Sequence, residues 1–426
     1  MNTHKKGSVV AGITIIVASI VAFGLWTAFN EPKEIIPEDP YIAWSLELYD
    51  VILENYWNEM PEEQLAEIYR LGAGNLLGDE QTLASTTRES IGFFIEGHIA
   101  LFDDTQKKDF VTQLGHLVLQ NLEPFGRSAL YTAQREKELR NTVANINPEK
   151  DLYADLAVEK GASEEEVEEA FEEKKEELEE LGTPEAAAEL EKVEYAKEVL
   201  TNDVDKKKYD DGGIEPTVFT EELDERTLYM KISKVSPTTF NEFIRRADSV
   251  TNENLDTLIL DLRDNIGGAV DTLPWFLGPF IGPGQYAYDL FHQGEYEPYK
   301  TQVGWLPSLG KYKRTVVLIN ENSQSSAETM AATLQKYNVG VVVGVTTRGH
   351  GTIENTFAVE TVIDENETYS AFLVHSITLR PDGQPIEGRG VDPTISITSP
   401  DWEDQLNQYF NDESLVANVY DLVTPL

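Results

Sequence analysis

Three short stretches of the chain carry residue types that together could transfer an acyl group. Residues 319–328 include Ser323, Ser325 and Ser326, placed where an apolar strand gives way to a helical run ending at Gln335. Residues 344–354 form a glycine-rich turn that delivers His350, with Glu354 four positions on. Upstream, the apolar run 258–262 ends in Gly267 and Gly268. A serine at a strand-to-helix junction sits among unpaired N–H groups. A histidine is the natural general base for its hydroxyl. If residues 350–354 are extended, His350, Thr352 and Glu354 share one side, so that Glu354 can orient the imidazole. Gly267 and Gly268 let a loop backbone approach closely and offer an N–H, and the N–H of Ser325 or Ser326 offers another; such donors stabilise an oxyanion. Taken singly, each residue has a simpler role as helix cap, turn glycine or surface histidine. Their order and spacing make the set an acyl-transfer site with Ser325 as nucleophile, His350 as base and Glu354 as its partner.

On these residues the chain, from about 215 to 400, resembles the C-terminal processing peptidases, or tail-specific proteases, which use a Ser–Lys dyad. The family's LRNNPGG motif is similar to Leu262-Arg263-Asp264-Asn265-Ile266-Gly267-Gly268. Its NEGSASASEIVAGALQ motif is similar to the run from Asn320 to Gln335, and its VGExTFGKGxVQ motif to the run from Val343 to Glu354. A fourth motif, YYTPSGRSIQGKGIxPD, is similar to the run from Thr378 to Pro393. Aligned so, the resemblance implies Ser325 as nucleophile. The family's lysine base falls on His350, the glutamine that often assists it on Glu354, and an acidic residue of some members on Lys336. A lysine base must be kept neutral by burial, whereas a histidine ordinarily titrates near 6.5. The paired change therefore reads as a re-tooled Ser–His–Glu site, with an inactive, peptide-binding scaffold as the alternative.

The remaining chain must place this core. After His4, Lys5 and Lys6, residues 9–29 hold no charge, long enough to cross a hydrocarbon core of about 30 Å. With only a weak cleavage site, the run reads as an uncleaved transmembrane signal anchor rather than a signal peptide. The lysines then stay cytoplasmic, and the rest lies outside the cytoplasm at the cell membrane. The 426 residues hold no cysteine and 6 histidines, leaving no thiolate or disulfide chemistry and little room for a metal site; no cofactor is expected. A net charge of −42 argues against nucleic-acid binding. Peptide or protein substrates are the expected partners.

The expected fold class is α/β. Residues 1–30 form the cytoplasmic tip and anchor, and 31–149 a helical N-terminal region. In this region the spacing predicts helices over 41–77 and 81–145. Residues 150–213, where the family usually has a PDZ domain, resemble a J-domain. Lys150-Asp151-Leu152-Tyr153 opens the stretch, Ser163 caps a helix, Gly182-Thr183-Pro184 turns the chain, and Lys208-Tyr209-Asp210 closes it. The J-domain's His-Pro-Asp loop is missing and the helix is glutamate-rich, so stimulation of a chaperone is not implied. The module reads as a substrate gate or partner-docking unit, or as an acidic spacer. Residues 214–400 are the βαβ-rich peptidase core, with strands near 227–233, 258–262, 316–319 and 341–345 and helices near 240–247 and 271–280. Residues 401–426 form a C-terminal helical segment.

Overall fold

The computed structural model describes residues 39–424. The anticipated anchor lies outside them. Among the described residues no helix is long and apolar enough to cross a membrane.

Four helices open the fold: α1 (Pro40–Asn55), α2 (Glu62–Leu77), α3 (Arg88–Ile99) and α4 (Asp104–Gln120). Each begins as its sequence dictates. The Asp39 carboxylate accepts from Tyr41 N–H ahead of Pro40, Pro61 precedes α2, and Asp103 and Gln106 cap α4 reciprocally. Trp44, Tyr49 and Tyr69 are fully buried among these helices. Residues 129–132, read as helix from sequence, instead form strand β1 (Ala129–Thr132), which leads into α5 (Ala133–Ala144). Its four residues are too few to show a period, and its partner strand lies far along the chain.

The module follows as α6 (Leu152–Asp155), α7 (Glu164–Leu181), α8 (Pro184–Thr201) and α9 (Asp203–Gly212). Ser163 and Glu166 form a capping box on α7, and Gly182 ends that helix in the left-handed region at φ 55°. Leu152, Val167, Phe171, Val193 and Val199 make a small separate core. Asp205, fully buried, pairs with Arg245 and Arg246 of the α/β core that follows, the latter at 2.9 Å, and Lys208 meets Glu242 at 2.9 Å. The hairpin is thus a unit with its own interior, clamped to the next domain by charge.

The core runs β2 (Val218–Glu222), β3 (Thr227–Ile232), α10 (Thr239–Ser249), β4 (Thr257–Asp261), α11 (Leu273–Ile281), β5 (Tyr286–His292), β6 (Glu295–Lys300), α12 (Pro307–Gly310), β7 (Arg314–Ile319), α13 (Ser326–Lys336), β8 (Val341–Gly344), β9 (Thr352–Val359), β10 (Tyr369–Leu379) and β11 (Ile395–Ser396). A six-stranded sheet has the order β11-β8-β7-β4-β3-β2, parallel except for the β2–β3 pair. Its central strands β4, β7 and β8 are almost wholly buried and mainly apolar, as strands covered on both faces require. Phe243, Phe276, Leu277 and Met330 pack in the core that holds α10, α11 and α13, while α14 (Trp402–Phe410) and α15 (Glu413–Val423) bury Trp402, Leu406 and Val419 against the other face. Each such buried side chain contributes about 1.5–3 kcal/mol. A second, antiparallel sheet of β1, β10, β5, β6 and β9 carries the segment after His350, with Glu354 opposite Val374. The expected core strands and helices are present within a few residues of their expected limits. The C-terminal segment is two helices, divided at Asn411.

Candidate active site

Parallel β4 and β7 end side by side and deliver two loops to one place. Asp264 joins them: its carboxylate accepts from Asn320 and Asn322 side-chain amides, each at 2.9 Å. The Asn320 contact, with that of Asn322, holds the Asp264 carboxyl below the usual carboxylate range despite partial burial. Buried Asn265 accepts from Gly267 N–H at 2.8 Å and donates to Ile232 O at 2.8 Å. Val235 N–H then donates to Gly267 O at 3.0 Å, and Ala269 N–H to Val235 O at 2.8 Å. The double glycine is thereby fixed against the serine. A Cβ on Gly267, at φ 83°, would stand 2.6 Å from Ser325 Cβ, and one on Gly268 2.0 Å from Val235 O, so only glycine fits at either position.

Ser325 itself occupies φ 53°, ψ −119°, outside the regions that side-chain-bearing residues favour, at the sharp turn into α13. What holds it there is Glu328, which is fully buried. One carboxylate oxygen accepts from Ser325 N–H and His350 N–H, both at 2.8 Å. The other accepts from Thr347 Oγ1 at 2.5 Å and Gly349 N–H at 2.7 Å. One carboxylate therefore ties the serine turn to the histidine loop. Glu328 was read only as part of the serine motif. Its spacing three residues after Ser325 is the serine–x–x–glutamate signature of a helix start, and that signal could have found it.

The backbone donors divide in two. Gly267 N–H is taken by Asn265, and Ser325 N–H by Glu328. Among the described residues, Gly268 N–H and Ser326 N–H have no acceptor. Ser326 Oγ donates to Gly268 O at 3.0 Å, which keeps these two residues together.

His350 and Glu354 lie on one side of the chain, with Nε2 3.7 Å from Glu354 Oε1, and Thr352 Oγ1 donates to the same oxygen at 2.6 Å. The ring has a further neighbour that the sequence did not reveal. Arg127 Nη1 lies 2.7 Å from Nδ1 and 3.1 Å from Nε2. Arg127 also pairs with Glu387 at 3.3 Å, and Glu387 accepts from Gly351 N–H at 2.8 Å. A ring nitrogen can accept from a guanidinium only in the neutral imidazole, the form a general base needs. The structure thus brings Ser325, Ser326, Gly267, Gly268 and the His350 loop into one connected assembly. It adds Glu328, Thr347, Arg127 and Glu387, and no hydrogen bond joins Ser325 to His350 among the described residues. Lys336, at the end of α13, stacks on Tyr286 at 3.9 Å from the ring centroid.

A buried-glutamate tether, a strained serine and a double glycine thus meet at the ends of parallel strands, and the proteins that this chain resembles are peptidases. Residues 226–397 match the family model of peptidase family S41. The resemblance to the C-terminal processing peptidases therefore holds over that segment. The chain is 29% identical over 187 residues to the carboxy-terminal processing protease CtpA of Bacillus subtilis (strain 168), a match covering 44% of this chain and 38% of that protein. It is 28% identical over 176 residues to a probable CtpA-like serine protease of Staphylococcus epidermidis (strain ATCC 12228 / FDA PCI 1200), covering 41% and 34%. The matched region is thus less than two fifths of each relative's length. A solved structure of a photosystem II D1 C-terminal processing protease aligns with 84% of this chain and 93% of its own, at 11% identity and a TM-score of 0.49. The module of residues 150–213 lies outside the S41 segment.

Proposed function

We propose that the chain is a serine endopeptidase that cleaves extracytoplasmic protein or peptide substrates, anchored to the cell membrane by residues 9–29. The observation that carries this reading is the strained Ser325 turn, tied through Glu328 to the His350 loop. In this reading His350 takes the Ser325 proton as the hydroxyl attacks the scissile carbonyl, and later returns it to the leaving amine. Glu354, 3.7 Å from Nε2, stabilises the imidazolium. The Gly268 and Ser326 N–H groups, which have no other acceptor among the described residues, receive the oxyanion. Proton transfer from Ser325 requires the ring to exchange its Arg127 contact for the Ser325 hydroxyl. The J-like module gates access to the site, since its ion pairs reach α10, which packs on β2 at the edge of the parallel sheet.

The test is covalent labelling of the purified protein with a fluorophosphonate probe. Labelling that disappears in Ser325→Ala supports the assignment. A folded protein that takes up no label supports the inactive scaffold instead.

A further inference from the structure

Directly after β3, Lys234 is 9% exposed, and no other lysine or arginine among the described residues is buried so far. Its ammonium donates to Thr142 O at the end of α5 and makes no ion pair among the described residues. The acid whose charge reaches it, Glu215, is already engaged by Lys150 at 2.9 Å and by the Tyr195 hydroxyl at 2.5 Å. Burial, only partly offset by the charge of Glu215, pulls the Lys234 ammonium below the usual lysine range. A buried charge is ordinarily paired.

Lys234 lines a cavity of about 540 Å³, together with Gln134, Lys137, Asn141, Thr142 and Asn147. Two carboxylates also lie on its wall, Glu138, held by Gln134 at 2.9 Å, and Glu149. The volume exceeds what one small anion fills, and the wall's amide side chains suit the N–H and C=O groups of a peptide. The cavity also adjoins the glycine bridge, because the next residue, Val235, bonds Gly267 O and Ala269 N–H.

We propose that this cavity is a binding site for a carboxylate-bearing peptide, with the carboxylate supplying the missing partner of Lys234 and the peptide backbone meeting the amide wall. A ligand there lies one residue from the bridge that fixes Gly267 and Gly268. Binding goes beyond the hydrolytic reading and does not depend on it.

The experiment is isothermal titration calorimetry on the full chain carrying Ser325→Ala, so that nothing is cleaved and a chain without peptidase activity is tested equally. The probes are N-acetyl-trialanine with a free C-terminal carboxylate, its C-terminal amide, and sodium acetate. The acid is expected to bind at least tenfold more tightly than the amide or acetate, and Lys234→Met to remove that difference. Equal binding of acid and amide overturns the proposal, as does acetate binding as tightly as the peptide acid. The melting temperature of Lys234→Met separates a ligand site from a structural tie. Replacing an unpaired buried ammonium by an apolar side chain of similar length leaves it unchanged or raised. A fall, with the preference for the acid intact, shows that Lys234 serves only to hold Thr142 and overturns the proposal. The acid–amide comparison needs no lysine variant, so it stands even if Lys234→Met does not fold.

Discussion

Glu328→Gln isolates the tether between the serine turn and the histidine loop. The carboxylate accepts four hydrogen bonds, from Ser325 N–H, His350 N–H, Gly349 N–H and Thr347 Oγ1. Glutamine keeps one accepting oxygen and turns the other into an NH2 donor. Placed where the first oxygen meets Ser325 and His350, that NH2 would face two main-chain donors that cannot turn. The amide therefore settles on the side of Thr347, whose hydroxyl can rotate and accept, and only Gly349 N–H is stranded. Hydrogen bonds to a charged acceptor are worth about 1.5–3 kcal/mol. Losing one, and the charge assistance of the others, costs about 2–4 kcal/mol. At about 2–4 °C per kcal/mol for a domain of this size, the melting temperature falls by about 4–16 °C. If half of that cost appears as a loss of the aligned serine turn, fluorophosphonate labelling slows by about tenfold. Calorimetry and timed labelling on the same preparation read both effects. Glu328→Ala removes both acceptor oxygens and leaves all four donors unpaired, a loss of the order of total domain stability, and is expected not to fold. A Glu328→Gln protein with unchanged melting temperature and labelling rate would refute the tether.

Ser325→Gly relieves a backbone strained by about 1–3 kcal/mol at a cost in chain entropy of about 0.5–1 kcal/mol, so a melting temperature above the parent's is expected, with no labelling. Arg127→Met removes a cation that opposes the imidazolium, and labelling should rise several-fold; a fall at unchanged melting temperature would mean that Arg127 holds the ring productively. Burial, with the stacked ring of His292 at 4.2 Å, holds His375 below the usual histidine range. The unfolded chain then binds the proton first. His375's contribution is full above about pH 6.5 and is lost as the pH falls below it, a component absent in His375→Gln when melting is followed from pH 7.5 to 5. Deleting residues 150–213 removes a unit with its own core and should leave the peptidase core folded by circular dichroism, but with Glu242 stripped of Lys208. Cleavage of long substrates should then change more than cleavage of short peptides, and equal changes would count against gating.

What the sequence made legible was local. The serine turn, the double glycine and the histidine loop are runs of consecutive residues whose geometry follows from strand ends and glycine, so their types and spacing suffice to find them. The βαβ succession was legible for the same reason, since buried parallel strands are short apolar runs between helices. The environment of His350 is of another kind. Arg127 lies 223 residues away in sequence and arrives because β1 pairs with β10, whose other edge carries β9. No periodicity announces a strand of four half-buried residues, and so the arginine it delivers was invisible as well. The same holds for Lys234: its sequence neighbours say strand end, and only the approach of α5 makes it a buried, unpaired cation. Arg127 precedes the S41-matched residues, whereas Lys234 lies inside them and is covered by α5 from the N-terminal region. The matched segment supplies the reacting groups, while Arg127 and Thr142, which touch His350 and Lys234, come from the N-terminal region. Activity should therefore respond to changes in residues 127–145 even though none of them belongs to the peptidase motifs.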